Sequence, residues 1–253
     1  MVKSIKNLLL EFARIHRFLM RFFRELITPP YEFKEIIRQC YEIGWKSFPL
    51  ISLTGFIVGF VFTKQSRPSL EEFGATSWLP SLISIAIVRA LAPLVTALIS
   101  SGKVGSQIGA ELSSMNVTEQ IDAMEVSGTN PYKYLIVSRI LATSIMIPIL
   151  TFYVSGIGLV GGYLSIISHD DLSMLSFFTQ VFGAIEYIDV IAMVIRAVVF
   201  GFTIGFISCY VGYYSSKGTE GVGKAANSAV VASMFLVFLE EILIVQILSF
   251  FNY

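Results

Sequence analysis

Five long runs of apolar residues constrain the fold of this chain more than any other feature. They run from Gly44 to Thr63, Leu79 to Ser101, Ile140 to Ile167, Val190 to Tyr214 and Ser228 to Phe251. Each is long enough to cross a bilayer as a helix, which takes about 20 apolar residues. Only 14% of the residues are charged, well below the share in a soluble domain. The sequence therefore predicts an all-α integral membrane protein with five transmembrane helices.

Lysine and arginine are distributed unevenly among the segments that join these runs. The N-terminal region and the connections over residues 102–139 and 215–227 are rich in them, whereas the other two connections hold only Lys64 and Arg67. The positive-inside rule then places the N-terminus and the two basic connections in the cytoplasm. With five spans, the C-terminus is expected on the outer side of the membrane.

The N-terminal stretch over residues 8–27 carries charges that a spanning helix would bury. Arg14, Arg17, Arg21 and Arg24 recur at steps of three and four residues and therefore follow one face of a helix. Aromatic and aliphatic residues fill the rest of its circumference. The pattern predicts an N-terminal interfacial amphipathic helix held by anionic headgroups. The alternative is a cytoplasmic helix packed on a partner protein.

A short acidic segment, SSMNVTEQIDAMEVSGTNP, interrupts the apolar sequence between the second and third runs. Asn116 or Thr118 is expected to cap a helix start, and Gly128 with Pro131 is expected to end the helix. The sequence thus predicts a cytoplasmic helix of about ten residues between two spans.

The two faces of this predicted helix differ in character. Val117, Ile121 and Met124 form an apolar ridge at helical spacing, while polar side chains cover the remaining surface. This shape is that of a docking element for a soluble partner, and the alternative is a solvated connector. The residues assigned to the docking surface are Thr118, Glu119, Gln120, Asp122, Met124 and Glu125.

The chain offers little support for enzymatic chemistry. Residues 218–225, GTEGVGKA, approach a phosphate-binding loop, but Ala225 lacks the hydroxyl that holds Mg²⁺, and a span precedes the segment instead of a strand. We interpret it as a cytoplasmic turn and expect no ATP site. His16 and His169 fall on opposite sides of the membrane in this topology, so they do not share a metal. The zero net charge argues against a nucleic-acid partner.

Charged residues inside the apolar runs are more informative, because each is costly in a bilayer. Arg89 lies near the middle of the second run, and Glu240 and Glu241 lie near the middle of the last. Pro93 predicts a kink in the helix that carries Arg89. Arg196, about two turns from the outer end of the fourth run, is expected to reach the interface. The charges form either a packing ion pair or a polar spot along a substrate path.

Residues 101–142, SGKVGSQIGAELSSMNVTEQIDAMEVSGTNPYKYLIVSRILA, resemble the signature of the MlaE permease family, the membrane subunits of Mce-type lipid ABC transporters. The similarity extends over about residues 44–247. The chain departs from the family pattern at Ala90, where an acidic residue is common, and at Arg196, where lysine is frequent. Glu241 is additional to the one acidic residue usual in the last span. We therefore expect Glu240 or Glu241 to act as the counter-charge of Arg89.

The resemblance implies a homodimeric permease with an interfacial region over residues 1–40 and a permease domain over residues 41–253. It implies a separate ABC ATPase, which would supply ATP and Mg²⁺ chemistry and dock on the acidic segment, now termed the coupling helix. It also implies an Mce-domain protein on the periplasmic face of the inner membrane. The chain itself would hold no cofactor.

The function implied is movement of phospholipid between the inner and outer membranes. Phe56 and Phe60 are expected to meet acyl chains, and Gln65 and Arg89 are expected to meet a headgroup along a path that also includes Glu240 and Glu241. One alternative is a secondary transporter or channel in which Arg89 and Glu240 bind a small solute. A further alternative is a structural scaffold for the outer loop over residues 168–189.

Overall fold

The computed structural model describes residues 2–168, 172–216 and 218–250, with side chains from Leu9 onward. Residues 169–171 of the predicted outer loop and the end of the fifth run at Phe251 lie outside these ranges. Eleven α-helices are found in the described ranges, which contain no strand. They are α1 (Val2–Ile27), α2 (Phe33–Gly44), α3 (Phe48–Glu72), α4 (Leu79–Ala86), α5 (Ala92–Ser100), α6 (Ser106–Val117), α7 (Gln120–Val126), α8 (Ser138–Ile167), α9 (Met174–Ala184), α10 (Tyr187–Tyr213) and α11 (Thr219–Phe250).

Five helical segments are long and apolar enough to cross a membrane, which confirms the predicted number of spans. They are Phe33–Glu72, Thr76–Val117, Tyr132–Ile167, Tyr187–Tyr213 and Thr219–Phe250, numbered below as the first to fifth spans. The second span has 42 residues and is therefore roughly 60 Å long, twice the thickness of a hydrocarbon core. Its last part, α6, is consequently long enough to carry the α7 segment clear of the bilayer.

Gly55 with Gly59 and Gly201 with Gly205 have the four-residue spacing that is typical of contacts between membrane helices, and Gly59 and Gly201 lie at such contacts. A Cβ atom added to Gly59 of the first span would lie 1.9 Å from the carbonyl oxygen of Gly158 in the third. One added to Gly201 of the fourth span would lie 2.7 Å from the carbonyl oxygen of Thr143, also in the third. Only glycine allows such close approach of two backbones. The third span is therefore the element on which the first and fourth spans pack.

A short apolar helix, α9, lies between the third and fourth spans, where the sequence analysis expected only a loop. Ser173 caps its start by accepting a hydrogen bond from the amide of Ser176 at 3.2 Å. Phe177 and Val181 are fully buried and pack with residues of α4 and the third span. A serine preceding an apolar stretch was the available signal for this helix.

Helix α1 has three distinct faces. Ile15, Phe18, Leu19, Phe22 and Leu26 form the face that packs against the bundle. A second, exposed apolar stripe is formed by Leu9, Phe12, Met20, Phe23 and Ile27. The four arginines form the third face and line an open cavity of about 850 Å³ with Tyr214. The exposed stripe beside a basic face supports the predicted interfacial location, which stays a prediction.

The segment over residues 218–225 is not the turn that we expected. Only Gly218 lies outside a helix, with a backbone φ of +106°, and α11 begins at Thr219. Lys224 forms an ion pair with Glu220 at 2.6 Å, one helical turn earlier. Residues 219–225 include Gly221 and Gly223, which disfavour a helix, so tertiary packing decides the outcome: Ala225 is buried against Gly109 of α6, and Gly218 accommodates the reversal that precedes α11.

Candidate functional site

The α7 segment reverses direction sharply after α6, and its start differs from the expected cap. Helix α6 continues through Val117, so Asn116 is helical; its side chain donates to the carbonyl oxygens of Tyr213 and Ser215 at 3.3 and 3.4 Å. Glu119 occupies the N-cap position with φ of +57°, a left-handed conformation that costs about 1 kcal/mol or more in a residue other than glycine. The capping prediction for Asn116 and Thr118 was therefore wrong, because α6 extends into the expected start.

The end of α7 follows the prediction. Gly128 has φ of +82°, and the amide of Thr129 donates to the carbonyl of Met124 at 3.0 Å. This arrangement is the hydrogen-bond pattern of a glycine-terminated helix. The helix has seven residues instead of about ten, since Glu119 begins it later than expected.

The apolar ridge of α7 faces its own chain. Ile121 is 5% exposed, and Met124 packs against the same buried cluster that holds Phe18 of α1. We expected the ridge to contribute to the docking surface, but the bundle occupies it. The exposed surface consists of Thr118, Glu119, Gln120, Asp122, Ala123, Glu125 and the 90%-exposed Val126. It is acidic and directed to solvent.

An ion pair between a buried arginine and a half-exposed glutamate lies at the base of the hairpin that presents α7. Arg139 of the third span is 1% exposed, and its Nη2 lies 2.9 Å from Oε1 of Glu111 in α6. Its Nη1 donates to the carbonyl of Leu135 at 2.9 Å. The pair joins the helices that precede and follow α7, so it fixes their separation. The sequence analysis assigned no role to either residue, although a buried arginine at a span end was a signal for a partner.

The structure divides the candidate lipid-path residues into two groups. Phe56 and Phe60 stack on one face of the first span with ring centroids 6.1 Å apart, and both are half-buried. Gln65 is exposed about two and a half turns after Phe56. The described contacts of Arg89, Glu240 and Glu241 instead lie among the second, fourth and fifth spans.

The expected counter-charge of Arg89 needs correction. Its guanidinium forms an ion pair with Asp189, whose Oδ2 lies 3.2 Å from Nη2. Asp189 also accepts the amide hydrogen of Glu186 at 2.9 Å in a capping box that begins the fourth span. Arg89 lies beside the first turns of that span, so Asp189 reaches it more readily than the glutamates of the fifth span do. The Glu186-x-x-Asp189 spacing was the sequence signal that was missed.

The two glutamates have other partners. Glu241 forms an ion pair with Arg196 at 2.8 Å, and Glu240 accepts a hydrogen bond from the hydroxyl of Thr203 at 2.5 Å. Arg196 is only 6% exposed, so the expectation that it reaches the interface was wrong. Its charge is neutralised inside the bundle instead.

A cavity of about 310 Å³ opens beside these charges. Its wall contains Arg89, Ala192, Arg196, Val245, Leu248 and Ser249. The guanidinium of Arg89 beside an apolar wall suits an amphipathic ligand with an anionic group, whereas Arg196 is engaged by Glu241 and by the Arg89 carbonyl. The side chain of Arg89 is 37% exposed, whereas that of Arg196 is 8% exposed, so Arg89 is the more accessible cation.

Comparison with known proteins agrees with the sequence signature. The family model described as Permease MlaE matches residues 36–247. A probable ABC transporter permease protein of Rickettsia prowazekii is 41% identical over 222 residues, covering 88% of this chain and 86% of that protein. A probable ABC transporter permease protein of Synechocystis is 34% identical, covering 82% and 79%. Another, from Pyropia yezoensis, is 31% identical, covering 96% and 91%. The chain therefore belongs to the MlaE family of ABC transporter permeases.

Proposed function

We propose that this chain is the permease subunit of an ABC transporter that moves phospholipid between the inner and outer membranes. A separate ATPase would dock on α7, two copies of the chain would enclose the lipid path, and an Mce-domain protein would receive or deliver lipid in the periplasm. The N-terminus is cytoplasmic in this proposal. The observation that carries it is the exposed acidic surface of α7, which lies between two spans and is anchored by the buried Ile121, in a chain of the permease family.

The proposed docking of the ATPase rests on how α7 is presented. Its apolar residues are buried in the chain's own core, and Arg139 with Glu111 fixes its base. A partner that presses on the exposed carboxylates would therefore move the second and third spans as well as the hairpin. A solvated connector needs no such support.

The proposed lipid path follows the first and fifth spans, which are the least buried within the chain. In the most apolar stretch of each span, 28% of the residues are buried in the first and 17% in the fifth, against 61% in the third. Leu53 and Ile57 of the first span and Phe235 and Ile242 of the fifth are among the exposed apolar residues. A second copy of the chain and lipid would cover these faces. Arg89 is the proposed contact for the lipid phosphate.

Affinity purification of the tagged protein in mild detergent, with mass spectrometry of bound proteins and lipids, tests the proposal. The test variant carries Glu119→Lys and Asp122→Lys; the control carries Glu72→Lys and Glu220→Lys, the same change of charge at exposed sites outside α7. We expect the wild type and the control to retain an ATPase and phospholipid, and the test variant to lose the ATPase. Recovery without an ATPase or lipid would favour a carrier for a small solute.

The lipid contact has a separate test. Arg89→Gln in the intact complex is expected to reduce photocrosslinking to a phospholipid probe, with Lys64→Gln, an exposed cation of the first span, as the control. Unchanged crosslinking in Arg89→Gln would remove Arg89 from the path.

A further inference from the structure

Pro93 leaves one backbone carbonyl of the second span without its usual helical hydrogen bond, and a side chain of another helix donates to that carbonyl instead. Proline has no amide hydrogen, so it gives no hydrogen bond to the carbonyl of Arg89, four residues earlier. The helix adopts a π-helical segment over Ile87–Leu91 immediately before α5. Nη1 of Arg196, in the fourth span, donates to the Arg89 carbonyl at 2.6 Å.

The same guanidinium is balanced by the fifth span. Nη1 of Arg196 also lies 2.8 Å from Oε1 of Glu241. A hydrogen bond from a charged donor is stronger than one between neutral groups, and it gains further strength in a water-poor interior. Arg196 therefore connects the Arg89 carbonyl of the second span to the Glu241 carboxylate of the fifth.

The fourth span holds Arg89 at two points. Asp189 binds its side chain, and Arg196, two helical turns further along the same face, binds its carbonyl. The direction that the second span takes after Pro93 therefore depends on its contacts with the fourth span. This later part of the second span contains α5 and α6, and it leads into α7.

We propose that Arg196 is a positioning residue that holds the break in the second span by replacing the hydrogen bond that Pro93 does not supply. Its function is to fix the direction of the helix that carries α7, not to bind the transported lipid. The consequence for ATP-driven transport rests on the proposed function, whereas the helix contact does not.

A double-mutant cycle tests this role in the full-length protein and in its complex with the ATPase. The four proteins are the wild type, Pro93→Ala, Arg196→Met and the combination. Pro93→Ala restores an amide hydrogen four residues after Arg89, so the break no longer needs Arg196. We expect Arg196→Met to lower the Tm of the permease by about 10 °C, because it removes the donor to the Arg89 carbonyl and also leaves Glu241 unpaired. We expect it to lower lipid-stimulated ATP hydrolysis several-fold. Pro93→Ala is expected to restore the share of both losses that comes from the Arg89 carbonyl, while the share that comes from Glu241 remains.

Controls separate this role from direct lipid binding. Thr203→Val, in the same span, is expected to show no coupling to Pro93→Ala. Arg196→Lys retains a cationic donor, so we expect it to lower the Tm and the ATP hydrolysis less than Arg196→Met does. It replaces Arg196→Met in the cycle if the methionine variant does not fold. Equal losses from Arg196→Met with and without Pro93→Ala would overturn the proposal. Rescue of the Tm in a protein that recruits no ATPase would uphold the helix contact and reject the transport function.

Discussion

The third and fifth spans are held in the bundle by different means. Backbone contacts at Gly59 and Gly201 bring the first and fourth spans directly against the third. The fifth span is joined through Ala225 and Ala229, which contact Gly109 near one end, and through Glu240 and Glu241 further along. Lipid tails are as apolar as leucine, so close packing and polar contacts decide helix association in a bilayer. The third span is thus the scaffold, and the fifth is a peripheral helix that packs through one narrow stripe, formed by Ala225, Ala229, Ser233 and Val237, and through its two glutamates.

The largest loss of stability is expected at the backbone contact between the first and third spans, where no space is left for an added methyl group. Gly59→Ala places a methyl group against the backbone of Gly158, which is unable to move aside. We expect a loss of stability on the order of 3 kcal/mol or more, seen as a lower Tm and a low yield of folded protein. Gly156→Ala is the control, because a Cβ there meets no atom within 4 Å. Equal stability of the two variants would refute the scaffold role.

The polar contacts of Glu240 and Glu241 in the fifth span are expected to give the next largest loss of stability. Glu241→Ala leaves the buried charge of Arg196 without its carboxylate, and we expect a loss of about 3 kcal/mol. Glu240→Ala removes only the partner of the Thr203 hydroxyl and is expected to cost about 1 kcal/mol. Thermal unfolding of the two variants side by side measures the difference. A larger loss for Glu240→Ala would show that the two glutamates have the opposite roles.

The third span also stabilises the hairpin that presents α7, through the contact of Arg139 with Glu111. Arg139→Lys preserves the charge but does not reproduce the two hydrogen bonds of the planar guanidinium, so we expect a loss of about 1–2 kcal/mol and weaker retention of the ATPase. Arg38→Lys is the control, since Arg38 contacts Glu35 from a 59%-exposed position. Full ATPase retention by Arg139→Lys would mean that α7 is presented without this pair.

The smallest effect concerns the uncovered face of the fifth span. Val237→Ala removes a fully buried side chain and is expected to cost about 1 kcal/mol, whereas Phe235→Ala, at a 62%-exposed position, is expected to leave the Tm of the monomer unchanged. In the proposed dimer, Phe235→Ala instead shifts the monomer–dimer equilibrium toward monomer. Analytical ultracentrifugation in detergent follows this shift. A Tm loss for Phe235→Ala that exceeds that of Val237→Ala would contradict the peripheral position of this face.

Prediction from sequence succeeded where the signal was local. The spans follow from apolar length, the contacts at Gly59 and Gly201 follow from spacing within one helix, and the end of α7 follows from the preference of Gly128 for positive φ. Each depends on residues close together in the chain. The start of α7 was the exception, because Glu119 adopts a conformation that its residue type disfavours.

The partners of the buried charges were the part that sequence left open. The sequence determined that Arg89, Glu240 and Glu241 lie inside spans and therefore need partners, and that Pro93 leaves a carbonyl without its usual donor, but it placed Arg196 at the interface. The tertiary structure alone decided that Asp189 pairs with Arg89, that Glu241 pairs with Arg196, and that Arg196 serves the carbonyl. The physical reason is that apolar sequence fixes the depth of a helix, whereas its rotation and neighbours depend on close packing, and a charge pairs with whichever group that packing brings within a few ångströms.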